Sequence, residues 1–504
     1  MSKPFYVTTA IDYSNGDPHL GHALEKVGAD VIARWHRLQG HPVHFVMGMD
    51  EHAQKVLQAA EAADTTPQQW VDRMSARFEQ AWQVLECSHD DWMRTTQPRH
   101  AEGVKALIAR IQARHPDAFY EGEYEGLYCV GCEEFKSESQ VVDGRCVEHP
   151  SRDLVPTRER NTFFRLSAWR DEVLRRITSG ELVVAPDIRR NEILRVLEGG
   201  LIDISVSRSR LPWGIPFPGT DDQTVYVWFE ALMNYVSATG FPEADWESLW
   251  PADVHVVGKG ITRFHCCIWP AILLAAGLPL PRAVWAHGYV QWDGAKVSKS
   301  EGTGVSLADA INRHGPDALR YFLLREIGFT ADGDFSFDRF DAVYASELAD
   351  GVGNLASRVL AMVVKYRDGI VPSGDADPGL SDGIRAAAAH YRQAMDATEF
   401  KRALEELGSL VRVANAFITT AAPWTLAKTG DDVALDRALR ALSEAVLVIG
   451  VMMAPFMPEK SAALLAALGR DGTPAWRDAD APDLGGARVA KPDNLFPKDP
   501  PAAA

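Results

Sequence analysis

The chain has 504 residues, 46% of them hydrophobic and 24% charged, and a formal net charge of −17. At roughly 100–200 residues per domain this length predicts three or four modules, with ample chain to bury more than one core. The acidic balance excludes broad, non-specific nucleic-acid binding, yet an RNA partner held by local Lys and Arg remains compatible with it.

The start of the chain lacks a charged segment followed by an apolar one, and no apolar run reaches the ~18 residues of a membrane span. The expectation is a cytoplasmic protein that does not enter a membrane. Residues 5–11 are rich in strand formers. A helix is expected over 18–38, with Asp17 as its N-cap and Pro18 as its first residue. Residues 43–49 form a buried strand pattern and 51–63 a helical one. This alternation predicts a parallel, doubly wound α/β sheet. Residues 121–160 break the pattern; they are polar and expected to be rich in loops, so they need a staple. The α/β pattern returns with a helix over 225–237, a strand over 254–257 and a helix over 268–276. Asp293-Gly294 between apolar residues signals a tight hairpin. From 340 to 468 apolar residues recur at helical spacing, which predicts a separate helix bundle. The tail beyond Gly469, rich in Pro, Asp and Ala, is expected to be partly extended or mobile.

Three motifs carry chemistry. His19-Leu20-Gly21-His22 opens the first helix, where free N–H groups and the positive dipole end favour anions. Two imidazoles one turn apart suit phosphate oxygens, and Gly21 allows close approach of a nucleotide. Lys296-Val297-Ser298-Lys299-Ser300 follows the hairpin and supplies two point charges on a loop able to bind a triphosphate. Cys129-x2-Cys132 with Cys146-x2-His149, the pairs separated by thirteen residues, has the softness and spacing of a tetrahedral zinc site. Four protein ligands leave no open position, so the zinc is expected to be structural and to supply folding energy to a core-poor insertion. Cys87, Cys266 and Cys267 read as small core residues.

The first two motifs together, in this order on the two halves of one α/β domain, resemble the HIGH and KMSKS signatures of class I aminoacyl-tRNA synthetases, with Val297 in place of the usual Met. Further segments resemble the methionyl branch of that family over nearly the whole chain: Ala10-Ile11-Asp12-Tyr13, Val46-Met47-Gly48-Met49-Asp50-Glu51-His52, Trp213-Gly214-Ile215-Pro216, Tyr226-Val227-Trp228-Phe229-Glu230-Ala231 and Arg263-Phe264-His265. Asn354 and Arg358, with Pro423-Trp424 after Asn415, resemble its anticodon-binding signature.

The resemblance implies a Rossmann-type catalytic domain with a zinc-knuckle insertion, followed by an all-α anticodon-binding bundle. It divides the chain into a first Rossmann half (1–115), the connective insertion with the knuckle (116–210), a second Rossmann half (211–285), a KMSKS-loop and stem-contact region (286–339), the anticodon bundle (340–468) and a Pro-rich tail (469–504). It implies methionine activation by ATP, with Mg2+, to methionyl-adenylate, and transfer to the 3′ end of tRNA(Met). His19, His22, Lys296 and Lys299 take the catalytic roles, and Gly21 and Ser298 join them in binding ATP. Asp50 takes the methionine ammonium, and Ile11, Tyr13, Trp228, Ala231, Tyr235, Ile261 and His265 line the side-chain pocket. Cys129, Cys132, Cys146 and His149 hold zinc; Asn354, Arg358, Pro423 and Trp424 read the anticodon. Gly260 stands where an Asp is common in the family, and Leu232 where some members have Pro. The absence of a further C-terminal module points to a monomer. The alternatives are another class I synthetase and a catalytically silent, tRNA-binding paralogue. The isoleucyl, valyl and leucyl enzymes carry an editing insertion for which 504 residues leave no room.

Overall fold

β-branched and aromatic residues make Phe5–Thr9 a strand, and all of it but Phe5 is buried. It lies inside a seven-stranded sheet ordered Val183–Ala185, Ala283–His287, Val254–Gly258, Phe5–Thr9, Val43–Asp50, Asp12–Tyr13, with Asp91–Arg94 also paired to Val43–Asp50. Val254–Gly258 runs parallel to both Phe5–Thr9 and Ala283–His287. Val43–Asp50 runs parallel to Asp12–Tyr13 and Asp91–Arg94. The parallel α/β sheet expected from the alternating pattern is thus present, and its centre joins strands from distant parts of the chain. This computed structural model describes residues 3–129, 134–136, 140–147, 149–209, 211–243, 245–292, 295–296, 306–491 and 494–498.

The chain divides into two units. The first comprises Met1–Pro18, His44–Trp82 and His89–His287 and holds the sheet. Its core includes Tyr6, Val46, Phe164, Phe229, Tyr235 and Trp269. Cys266 and Cys267 are buried, and burial pushes both thiols up, Cys267 to about 12, as befits core residues. The segment expected to be loop-rich is instead dominated by a long antiparallel ribbon, Phe119–Cys129 against Val155–Phe164, in register from Phe164↔Phe119 to Val155↔Tyr128. Its polarity misled because the ribbon exposes charge: Arg158 pairs with Glu123 at 2.7 Å and Arg160 pairs with Glu121. The helix expected over 225–237 starts at Val227, and a 3-10 turn, Ala231–Met233, joins Val227–Glu230 to Asn234–Ser237.

The second unit comprises His19–Val43, Gln83–Ser88 and Gly288–Ala504. Helix Leu20–Leu38 belongs to it, and His19, not Asp17, is the N-cap. The hairpin signal holds: Val290–Trp292 pairs antiparallel with Ala295–Lys296, while Asp293 and Gly294 lie outside the described residues. The helical series continues through Phe337–Val343, Asn354–Arg367, Pro378–Asp396, Phe400–Ala421, Asp432–Met453 and Pro458–Ala467. Helix Pro316–Phe322 contributes two buried ionisable residues, Asp317 and Arg320. Arg320 donates to Asp30 at 2.7 Å and to the carbonyls of Leu85, Pro455 and Phe456 at 2.8–2.9 Å. Burial would raise the Asp30 carboxyl; Arg34, Arg320 and Ser88 overcome it and hold it at about 2. The tail is anchored, contrary to its composition. Trp476 is buried, donates its backbone N–H to Leu38 O at 2.8 Å and stacks on Tyr391, 5.5 Å between centroids. Leu484, Val489, Leu495 and Phe496 are buried as well. Apolar residues scattered through a Pro-rich segment carry no periodicity, so their anchoring was not visible beforehand. Among the described residues, no helix is long and apolar enough to cross a membrane.

Candidate active site

Open parallel sheets bind ligands beyond the carboxyl ends of their strands. In the first unit Asp50 ends Val43–Asp50, Ile11 follows Phe5–Thr9, and Ile261 follows Val254–Gly258. Tyr13 is registered opposite Asp50 and Asp12 opposite Met49. Ser14 fastens this edge, its N–H and hydroxyl donating to Asp50 O at 3.2 and 3.0 Å. Asp50 is buried, 2% exposed. Gly48 is required two residues earlier: a Cβ there would stand 2.0 Å from Met93 O and 3.1 Å from the Ile11 side chain.

Aromatic rings build a wall beside this edge. Trp228 meets the Tyr13 ring edge-on at 5.6 Å and lies parallel to Phe264 at 4.1 Å, 14° between planes. Phe264 was quoted in a family segment but not assigned to the site; the chain is π-helical from Phe264 to Ile268, a distortion that concentrates at functional sites and that no sequence period announces. The same turn carries His265. Its Nδ1 donates to Ile261 O at 2.9 Å, so its Nε2 is left to accept the Tyr235 hydroxyl at 2.7 Å. Tyr235 is held from behind: Tyr6 donates to its carbonyl at 2.7 Å, and its ring packs 4.2 Å from His255. Burial holds the His255 imidazole well below its usual pKa and therefore neutral. It bonds Thr8 Oγ1 at 2.7 Å through Nδ1 and accepts from Trp269 at 3.2 Å through Nε2. Ala231 and Leu232 are buried on the same helical segment. Ile11, Tyr13, Asp50, Trp228, Ala231, Tyr235, Ile261 and His265 thus all lie in one unit.

In the second unit the two histidines of the first motif cap their own helix. The Gly21 N–H donates to His19 Nδ1 at 3.1 Å, and the His19 N–H donates to His22 Nδ1 at 3.2 Å. The rings stack at 3.7 Å. Gly21 makes room for this, since a Cβ there would be 3.0 Å from His19 Cε1. Because each Nδ1 accepts, each neutral imidazole carries its proton on Nε2, a donor suited to a phosphate oxygen. An isolated backbone bridge pairs His19 with Ser306, the first described residue beyond the lysine motif. Lys296 pairs with Gln291 through the hairpin backbone; Ser298 and Lys299 lie outside the described residues.

Cys129 and Cys146 are buried. Cys146 is registered opposite His149 across antiparallel strands. Cys132 and the His149 side chain lie outside the described residues, and among the described residues no three metal-binding groups come together. In the helical series, Asn354 opens helix Asn354–Arg367, and Arg358 donates to Asn415 Oδ1 at 3.0 Å. Pro423 begins helix Pro423–Thr429 after Ala422 in the left-handed region, φ 43°, and Trp424 is 47% exposed.

Two family profiles match the chain. One, described as tRNA synthetases class I (M), covers residues 5–153 and 151–360; the other, the anticodon binding domain of methionyl tRNA ligase, covers 370–500. Methionine–tRNA ligase of Streptomyces coelicolor is 40% identical, covering 100% of this chain and 98% of that protein. That of Thermotoga maritima is 39% identical over 91% of this chain and 74% of its own length. The structure of Mycobacterium tuberculosis methionyl-tRNA synthetase in complex with methionyl-adenylate is similar at a TM-score of 0.94 and 37% identity, over 98% of this chain and 100% of that one.

Proposed function

The chain belongs to the methionyl branch of the class I tRNA synthetases, and from that premise we propose how its own residues carry the reaction. The enzyme activates methionine with ATP and transfers it to tRNA. In the first step a methionine carboxylate oxygen attacks the α-phosphorus, a P–O bond forms, and pyrophosphate leaves with the electron pair of the α–β bridge. In the second a ribose hydroxyl at the tRNA 3′ end attacks the activated carbonyl and AMP leaves. No protein nucleophile is needed; catalysis is positioning and charge stabilisation.

Asp50 receives the methionine ammonium, and the Tyr13, Trp228 and Phe264 rings with Ile11, Ala231 and Ile261 take the thioether, whose polarizable sulfur suits aromatic faces. The Tyr235–His265 pair closes this wall with a fixed polar edge. The observation that carries the reading is the buried Asp50 at the end of a central strand, in register with Tyr13, whose ring meets Trp228. His19 and His22 donate from Nε2 to phosphate oxygens as charge builds there, and Gly21 keeps the helix start open. Lys296, Ser298 and Lys299 hold the β- and γ-phosphates of ATP, which arrives with Mg2+. The bridge from His19 to Ser306 supports the two motifs acting together.

Cys129, Cys132, Cys146 and His149 hold a structural zinc; two buried cysteines in a core-poor insertion, one registered opposite His149, suit that ion. Asn354, Arg358, Pro423 and Trp424 meet the anticodon, where Trp424 offers an exposed face for stacking and the amide and guanidinium meet base edges. The enzyme works as a cytoplasmic monomer.

The test is ATP–pyrophosphate exchange with each of the twenty amino acids. Exchange with methionine alone, lost in Lys299→Ala, is the expected result. Exchange with a different amino acid overturns the pocket assignment. No exchange with any, from a folded chain, favours a silent tRNA-binding paralogue.

A further inference from the structure

Beside the amino-acid site, and outside every role assigned so far, three titratable side chains meet in the first unit. The Glu230 carboxylate is fully buried. His52 Nδ1 lies 2.7 Å from its Oε1, and His100 Nε2 lies 3.3 Å from the same oxygen. His100 is also fully buried, and His52 is 8% exposed. A carboxylate so placed is costly to bury, and a well-packed apolar residue of similar volume would serve the core as well or better. Its retention calls for a role that depends on direction and charge.

The three residues come from three elements. His52 follows Asp50 by two residues, in the turn after strand Val43–Asp50. Glu230 follows Trp228 by two residues and ends helix Val227–Glu230. His100 sits in the first turn of helix Pro98–Arg114. The His52–Glu230 bond therefore ties the segment bearing Asp50 to the helix bearing Trp228, and His100 braces the carboxylate from a third side. The turn is fixed further by the Trp213 indole, which donates to Glu51 O at 2.6 Å and meets the His52 ring at 5.5 Å.

We propose that His52, Glu230 and His100 form a positioning triad that sets the spacing between the ammonium-binding Asp50 and the Trp228 wall, and so the affinity for the amino acid rather than the rate of the chemistry. This rests on the reading that Asp50 and Trp228 hold methionine. The charge states support a true ion pair. Burial alone would lower the His52 pKa, but Glu230 and Glu51 raise it above the usual value. Burial alone would raise the Glu230 carboxyl, but His52 and His100 hold it below the usual range. The other charged groups facing the pair are Glu51, which takes hydrogen bonds from Arg94 and Thr96, and Arg94 itself, whose far side pairs with Asp72 at 2.6 Å. A raised His52 pKa keeps the pair charged to a higher pH than an ordinary imidazole would allow, and the pair weakens as pH rises through that value.

The experiment is steady-state ATP–pyrophosphate exchange on the full chain, comparing wild type, Glu230→Gln and His52→Gln, with methionine and ATP varied separately. Loss of one charge-assisted bond predicts a rise of about tenfold in the methionine KM, with kcat and the ATP KM within about twofold of wild type. In wild type the methionine KM should also rise as pH passes through the range where His52 loses its proton, and that step should vanish in Glu230→Gln, whose amide is neutral. A purely structural role would leave the pH step in place. An unchanged methionine KM in both variants, or kcat and both KM values moving together, overturns the proposal. Should Glu230→Gln not fold, His52→Gln carries the same reading alone. Wild type without methionine exchange, or Asp50→Ala with an unchanged methionine KM, would instead defeat the site assignment on which the triad rests.

Discussion

Replacing Asp317 with Asn isolates the cost of a carboxylate inside the helical unit. Asp317 is 1% exposed. Its Oδ2 accepts the Lys460 N–H at 2.7 Å, in the first turn of helix Pro458–Ala467, and its Oδ1 has no hydrogen-bond partner among the described residues. Burial pushes the carboxyl up from 3.8 to about 7, against the opposing pull of the Lys460 N–H and Arg320. A carboxyl whose pKa rises on folding holds its proton more tightly in the folded chain. The stability it lends is therefore fully present below the unfolded value and is lost as pH rises through about 7. A rise of about three pH units, at ~1.36 kcal/mol per unit, sets a ceiling of ~4 kcal/mol for that loss. Asn keeps an acceptor for the Lys460 N–H and never ionises. Asp317→Asn should therefore be within ~1 kcal/mol of wild type near pH 4, gain on it steadily between about pH 4 and pH 7, and hold a level advantage from there to about pH 8.5. The assay is urea unfolding followed by circular dichroism, which weights the helices, at constant ionic strength across that range. A difference that stays flat with pH, or a variant that loses ground as pH rises, would refute the reasoning.

Three further outcomes test other parts of the molecule. Tyr235→Phe removes the donor to His265 Nε2 and leaves a buried acceptor unmet, a cost of about 1–3 kcal/mol; the methionine KM in exchange should rise roughly 5- to 150-fold with the ATP KM unmoved, and equal rises in both would argue against a pocket role. Metal analysis of the purified chain should find one zinc per molecule. Cys146→Ser should lose it and render the 116–210 segment sensitive to protease, whereas a zinc-free wild type with a protease-resistant insertion would rule out the knuckle. Trp424→Ala should lower kcat/KM for tRNA(Met) charging by about 1–3 kcal/mol, the worth of one stacked base, while leaving pyrophosphate exchange intact; impaired exchange would point to a structural loss instead.

Much of the fold was legible because its signals are local. Strand composition, the helical period after 340 and the Asp293-Gly294 hairpin each depend on a few neighbouring residues. The histidine motif was placed correctly at a helix start, but the cap was assigned to Asp17 because an Asp before a Pro is the common pattern. Here His19 folds back over Gly21 and does that work with an imidazole, a rarer solution that only coordinates display. Family segments picked out the residues proposed for the side-chain pocket, whereas Phe264 stacked on Trp228 depends on a π-helical turn that shifts the register of every residue after it. The meeting of His52, His100 and Glu230 joins residues up to 178 apart in sequence, and no local pattern encodes such a meeting. The anchored tail failed for the same reason: Trp476 packs against Trp35 and Tyr391, partners far upstream.

The sheet's central pairing has a consequence for how the chain is made. Thr8 and His255, adjacent across the parallel ladder, are 247 residues apart in sequence. At about 5–20 residues per second, a ribosome finishes the first strand ~12–50 s before its neighbour exists. Throughout that interval Phe5–Thr9 presents one unpaired ladder and its apolar side chains to the nascent-chain environment. A pairing between strands this far apart in sequence forms slowly, since the loop-closure entropy must be met before the pairing returns anything. The sheet is thus completed only after the whole 116–210 segment has been synthesised, and any defect that slows folding of that segment delays closure of the sheet itself.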